Sequence, residues 1–198
     1  MSSDDVNKGR RRFLVATTSA VGAVGVGLAA VPFIKSWLPS AKAKAVGAPV
    51  EVNISKLEKG QLLKVQWRGR TIGVLRRTQE MLDLLPKNDP WLLDPQSKNA
   101  VQPPYIQGEA RAERPEYLVL NMHCTHLGCI PRLVPEVGPQ PFEQHWYGGF
   151  FCPCHKSKYD ISGRVYKGVP APSNLHIPPY SFLDDHTVVI GVNPHGAV

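Results

Sequence analysis

Two short segments constrain the whole chain. Cys124-Thr-His126-Leu-Gly-Cys129 and Cys152-Pro-Cys154-His155-Lys-Ser157 hold its four cysteines, and each carries a histidine at ligand spacing from a cysteine. A fold that uses them must bring two loops together, so that two soft thiolates and two neutral imidazoles converge. Zinc ordinarily draws C-x2-4-C and H-x3-5-H pairs, whereas each loop here is mixed. The mixed order suits an asymmetric two-iron cluster, in which one iron keeps two thiolates and the other takes two histidines. Four unrelated buried thiols would leave the histidine spacing unexplained. Cys129 and Cys154 are then left over, one in each loop.

These loops resemble those of Rieske proteins. The extra cysteine pair, with Ser157 and Tyr159 after the second loop, resembles the bacterial iron-sulfur subunits of ubiquinol-cytochrome c reductase, the cytochrome bc complex. The resemblance implies one Rieske [2Fe-2S] cluster per chain, with Cys124 and Cys152 on one iron and His126 and His155 on the other. It further implies a Cys129–Cys154 disulfide, a Ser157 hydroxyl bonded to a bridging sulfide, and a Tyr159 hydroxyl bonded to the Cys124 sulfur. Gly168-Val-Pro170-Ala-Pro172 resembles the proline-rich loop that covers the cluster in this family. His155, with His126, is the implied catalytic edge that meets ubiquinol at the outer quinol site. The implied partners are cytochrome b, a c-type cytochrome and membrane lipid, in a dimeric complex. Two departures stand out. Residues 127–151 separate the ligand pairs by more than compact members of the family use, and Pro131 to Gln144 reads as an inserted loop. Lys156 stands where the family usually has glycine, a strained choice if that position needs positive φ.

A net charge of +7 raises the question of nucleic acid, but much of it sits at the amino terminus. Lys8, Arg10, Arg11 and Arg12 precede an uncharged run from Phe13 to Ile34, roughly 33 Å long as a helix and enough to cross a bilayer. Arg10-Arg11-Arg12-Phe13-Leu14 fits the twin-arginine export pattern; a plain basic flank obeying the positive-inside rule is the alternative. Either way the amino terminus stays in the cytoplasm and the head lies in the bacterial periplasm, where a disulfide persists. Ala41-Lys-Ala43 resembles a cleavage site, but behind a run longer than a secretory core, which favours retention of the anchor. Ser19, Ala23 and Gly27 form a stripe that lets a neighbouring helix approach. The expected organisation is a basic tail over 1–12, an anchor over 13–34, a tether over 35–48 and a periplasmic head over 49–198, with its cluster-binding part about 121–176.

The head reads as mostly β, with 19 prolines and 17 glycines marking many rigid turns. Leu62 to Trp67 and Thr71 to Arg76 flank Arg68-Gly69-Arg70, a hairpin signal, and Thr78 caps a short helix through Leu85. Glu116 to Leu120, His145 to Phe151, Arg164 to Tyr166 and Thr187 to Val192 supply further strands. Short strands at turn-rich spacing predict an antiparallel β-sandwich head with a cluster-binding subdomain carrying both ligand loops.

The ligand set predicts the chemistry. An oxidised two-iron core carries two positive charges, so two thiolates make the site neutral, and histidine ligation raises the potential to roughly −150 to +300 mV across such centres. That range suits oxidation of a quinol. Each imidazole keeps a distal ring nitrogen whose proton affinity follows the iron's charge. The resemblance implies that the reduced head swings on its tether to a c-type cytochrome, with Leu127 as apolar contact at the docking face or as simple loop packing. Rieske components of systems such as arsenite oxidase are the alternative; an oxygenase ferredoxin would lack the anchor and the second cysteine pair. His123, His145, His176, His186 and His195 lack ligand spacing. Trp67, Trp91 and Trp146 read as core, Arg68, Arg70, Arg76 and Arg77 as solvated edge-strand charge, and Lys158, with Lys156, as charge that favours the reduced cluster if it points inward. No phosphate loop or catalytic triad is present, and no nucleic-acid partner is expected.

Overall fold

The computed structural model describes residues 7–194. Residues 1–6 of the expected tail and His195 lie outside them. The chain divides after Ala45 into two units. The first is dominated by helix α1, Lys8–Ser36, whose start is set by Asn7: its side-chain oxygen accepts from the Gly9 and Arg10 N–H groups, both at 3.1 Å. The helix buries none of its residues, and it is long and apolar enough to cross a membrane. Helix α2, Ala41–Gly47, takes up the centre of the expected tether.

The second unit is β-rich. Among the described residues it contains three antiparallel sheets, built from β1 (Val50–Asn53), β2 (Leu62–Trp67), β3 (Arg70–Arg76), β4 (Tyr117–Asn121), β5 (Arg132–Val137), β6 (Tyr147–Phe151), β7 (Lys158–Asp160), β8 (Tyr180–Phe182) and β9 (Thr187–Ile190). The sheet orders are β1-β9-β8, β2-β3-β4 and β5-β6-β7. Trp67 pairs with Arg70, so the β2–β3 turn is the two-residue Arg68-Gly69, both at positive φ, which matches the strand twist. One apolar core joins the first two sheets through Val52, Tyr180, Val188 and Ile190 on one side and Ile72, Val74, Leu118 and Leu120 on the other. Phe150 and Tyr159 extend the same core into the third sheet, which carries the second ligand loop.

Several expectations need correction. The segment Pro131 to Gln144 is not a free insertion. Its first half is β5, paired with β6, and Val134 and Phe142 pack with Leu92, Trp146, Phe151 and Tyr166 in a small core of their own. Pro135 is tolerated because the register shifts between Val134 and Val137, where no ladder N–H is needed. Arg164 to Tyr166 forms isolated bridges, Leu92 with Tyr166 and Tyr159 with Val165, rather than a strand. The helix capped by Thr78 ends at Asp83 (α3, Gln79–Asp83), and a second, α4, Leu85–Asn88, restarts with Pro86 in its first turn. Trp67 and Trp146 are buried, but Trp91 is 42 % exposed and stacks on His145 at 4.7 Å. Arg77 is fully buried, not an edge charge: it donates to the Pro115 carbonyl at 2.9 Å and to Ser162 Oγ at 2.7 Å.

Candidate metal centre

The two ligand loops share one backbone design. In the first, the Cys124 N–H donates to the Cys129 carbonyl and the Gly128 N–H donates back to the Cys124 carbonyl. In the second, the Cys152 N–H donates to the Ser157 carbonyl and the Lys156 N–H to the Cys152 carbonyl. The fourth residue after each leading cysteine therefore turns left-handed: Gly128 at φ 82° and Lys156 at φ 61°. Glycine takes that conformation freely, whereas a residue with a Cβ pays about 1 kcal/mol. Lys156→Gly is accordingly expected to raise the thermal unfolding midpoint of the head by a few degrees, scaled from that strain. An unchanged midpoint would mean that packing of the lysine stem offsets the strain.

The structure brings the sequence-predicted residues together as like with like. Cys124 and Cys152 are both buried and in contact, and burial, with the neighbouring Cys124 sulfur, pushes the Cys152 thiol up. The His126 and His155 rings lie edge to face with centroids 4.8 Å apart, His155 exposed and His126 half-buried. Among the described residues, the trio of ligand atoms within 4.8 Å of one another is Cys129, Cys152 and Cys154, and two of these are bonded to each other. The four predicted ligands thus do not close around one point, as a tetrahedral zinc site requires. A thiol pair and an imidazole pair, set apart, fit the two ends of a two-iron core.

Cys129 and Cys154 form a disulfide that ties the loops, with Cα atoms 6.6 Å apart. It spans a sequence separation of 25, a loop whose closure in the unfolded chain is worth about 3.5 kcal/mol. Replacing both cysteines by serine is expected to lower the unfolding free energy by that order, read from the shift of the denaturant midpoint, and to make the cluster more labile without preventing its assembly. A double-serine variant as stable as the original would defeat the assignment of a clamp.

Around the thiols the hydrogen-bond directions can be counted. Tyr159 Oη lies 3.1 Å from Cys124 Sγ, accepts from the Thr125 N–H at 3.1 Å and lies 3.2 Å from Thr125 Oγ1. Thr125 Oγ1 gives its own proton to the Ser173 carbonyl at 2.7 Å. The tyrosine proton is therefore left for Thr125 Oγ1 or the sulfur, and an ionised sulfur is the stronger acceptor. Burial first, then Cys124, pushes the phenol far up, so it stays a donor. Ser157 Oγ, also buried, accepts from the Ala171 N–H at 3.1 Å, which leaves its hydroxyl proton free to point at the cluster side. Both proline-loop bonds, at Ala171 and Ser173, pin the segment after Gly168 against the ligand loops. Thr125 was not singled out by sequence, although a hydroxyl beside the first ligand was a usable signal.

Beneath the second loop, Gly149 on β6 lets β7 approach so closely that any Cβ would collide with the Tyr159 carbonyl. Asp160, next to Tyr159, is wholly buried and accepts from Ser162 N, Arg164 N and Arg164 Nε. Arg164 also donates to Asp89, Pro95 and Leu85, which fastens α4 and the residues after it to the cluster sheet. Burial opposes the Arg164 charge, but Asp160 and Asp89 outweigh it and hold its pKa above the ordinary value. Arg77 and Arg111 form no ion pair among the described residues, and burial pulls both down to about 10. Lys158 does not aim a free charge at the cluster: its Nζ pairs with Glu143 at 2.5 Å. Leu127 is 71 % exposed at the tip of the first loop.

A β-rich head whose two loops hold a buried thiol pair, a histidine pair at the surface with His155 exposed and His126 half-buried, and a linking disulfide defines a Rieske-type iron-sulfur protein. Residues 96–180 match the family described as Rieske [2Fe-2S] domain, and residues 1–40 match the family described as Ubiquitinol-cytochrome C reductase Fe-S subunit TAT signal. The chain is 55 % identical to the ubiquinol-cytochrome c reductase iron-sulfur subunit of Allochromatium vinosum, over 96 % of its own length and 92 % of the relative's. The same subunit of Rhodospirillum rubrum is 45 % identical (92 % and 91 % covered), and that of Blastochloris viridis 44 % (96 % and 97 %). The chain belongs to the ubiquinol-cytochrome c reductase iron-sulfur subunits, carries a [2Fe-2S] cluster and is part of a bacterial respiratory cytochrome bc complex.

Proposed function

We propose that Cys124, Cys152, His126 and His155 hold the cluster, and that the head takes an electron from ubiquinol at the outer quinol site and delivers it to a c-type cytochrome. The observation that carries this reading is the separation of the ligands into a buried thiol pair and a solvent-facing imidazole pair. When bound, the cluster supplies a one-electron carrier of raised potential. The protein's own residues do the rest. Cys124 and Cys152 keep water from the inner end. His155 is exposed, so with one ring nitrogen given to the cluster the other would be open to accept a hydrogen bond and then a proton from the quinol hydroxyl, while the cluster would take the electron. Leu127 gives the apolar contact beside it.

Residues 13–34 anchor the chain in membrane lipid with residues 1–12 in the cytoplasm, and residues 35–48 tether a periplasmic head (49–198) that moves between its two partners. Cytochrome b and the c-type cytochrome lie at the two ends of that movement, in a dimeric complex, and the proton is released on the periplasmic side. Anaerobic addition of ubiquinol to the purified complex tests this. The paramagnetic signal of the reduced cluster should appear and the c-type haem should follow; a c-type haem reduced while the cluster stays oxidised would sink the reading.

The hydrogen bonds bear on the potential. If Tyr159 and Ser157 donate towards Cys124 sulfur and a bridging sulfide, both bonds strengthen when the site gains negative charge. A differential of about 1.4 kcal/mol corresponds to roughly 60 mV for one electron, so Tyr159→Phe and Ser157→Ala are each expected to lower the midpoint by some tens of millivolts. Redox titration checks it: a normally assembled Tyr159→Phe centre with an unmoved midpoint would show that the phenol does not tune it.

A further inference from the structure

A groove of about 770 Å³ opens beside His155. One wall is the segment read from sequence as an insertion, which contributes Arg132 and Phe142; the other is Lys156, Lys158 and the proline loop at Pro170. Phe142 stacks on Phe151 at 4.1 Å, and the Arg132 guanidinium lies over the Phe151 ring at 5.4 Å. Stacking fixes that charge in place while leaving its five donors unused by the ring. Lys158 is neutralised by Glu143, but Arg132 and Lys156 make no ion pair among the described residues. The small core under β5 keeps this wall rigid.

Two unpaired cations therefore flank the histidine through which the electron passes. A neutral quinol gains little from them. A protein surface bearing carboxylates gains steering and orientation, and loses both as salt is added. We propose that this groove seats an acidic patch of the electron-accepting cytochrome, with Arg132 and Lys156 as its electrostatic contacts. The proposal rests on the reading of the head as a carrier between quinol and a c-type cytochrome.

The test uses the assembled, purified complex, with electron transfer from the reduced cluster to the c-type haem followed in time across ionic strength. Arg132→Glu is expected to slow that step about tenfold at low salt, at the lower end of the range for electrostatic steering. The difference should vanish as the screening length contracts from about 10 Å at 0.1 M to about 3 Å at 1 M. Arg132→Lys, which keeps the charge, should stay within about twofold of the original at every salt concentration, since only the fork geometry is lost. Reduction of the cluster by ubiquinol should be unaffected in both. An Arg132→Glu salt curve that superimposes on the original overturns the proposal, as does a slowing that persists at high salt or falls on the quinol step instead. A complex whose unaltered cluster passes no electron to a c-type haem refutes the underlying reading, before any variant is compared.

Discussion

Alanine at Cys124, His126, Cys152 or His155 is expected to abolish the iron-sulfur centre outright. On the proposed ligation each would supply one of the protein's four donors, and a missing donor would open one iron to solvent. The structure separates this loss from unfolding. His155 is exposed, so truncating it removes almost no core packing, and the loops stay tied by Cys129–Cys154. Iron and acid-labile sulfide should fall to background in the purified variants, with visible absorbance gone and far-ultraviolet circular dichroism retained for His155→Ala. A variant with a normal spectrum leaves the ligand set.

The second large effect lies beneath the site. Asp160→Asn is expected to destabilise the head by about 3–5 kcal/mol, the cost of leaving a buried charge without its partner. Asp160 is the wholly buried carboxylate among three wholly buried guanidiniums, those of Arg77, Arg111 and Arg164. Arg77 and Arg111 already bear a burial cost, and neutralising Asp160 adds Arg164 to them, since Asp89 is partly exposed and holds only one of its nitrogens. With a total stability of about 5–15 kcal/mol, such a loss takes roughly a third to a half of the margin of a mid-range domain. Denaturant midpoints measure it, and Asp160→Asn combined with Arg164→Met should recover much of the loss because no new orphan charge remains. A single Asp160→Asn variant as stable as the original would mean that the network carries little of the fold.

What was legible in the sequence follows from which signals are local. The ligand loops could be read because their chemistry is written in spacings of two and three residues, and the β2–β3 hairpin because its turn and alternation sit within fifteen residues. Strand β1 pairs with β9 across almost the whole head, Val50 opposite Ile190, and four residues carry too short an alternation to announce it. Strand β5 was hidden by its prolines: Pro131, Pro135, Pro139 and Pro141 read as a loop, yet the only one inside the strand falls where the register shifts. Arg77 was misassigned because arginine is rarely buried without a carboxylate, and here the Pro115 carbonyl and the Ser162 hydroxyl accept from its Nε and Nη1. The same blindness to tertiary partners let Lys158 pass for free charge until Glu143 was seen against it. The condition attached to Lys156 was met at φ 61°, and only the matching turn at Gly128 explains why.

The central claim is that two histidines and two cysteines, paired like with like, hold one two-iron cluster. Pulsed paramagnetic resonance of the reduced protein, prepared from cells supplied with nitrogen-15 histidine, tests it most directly. The account predicts strong couplings to two histidine nitrogens, both shifted by the label, and loss of the whole signal with the cluster when either His126 or His155 is replaced. A reduced cluster showing no labelled nitrogen coupling, or a protein holding zinc with no paramagnetic signal at all, would contradict it.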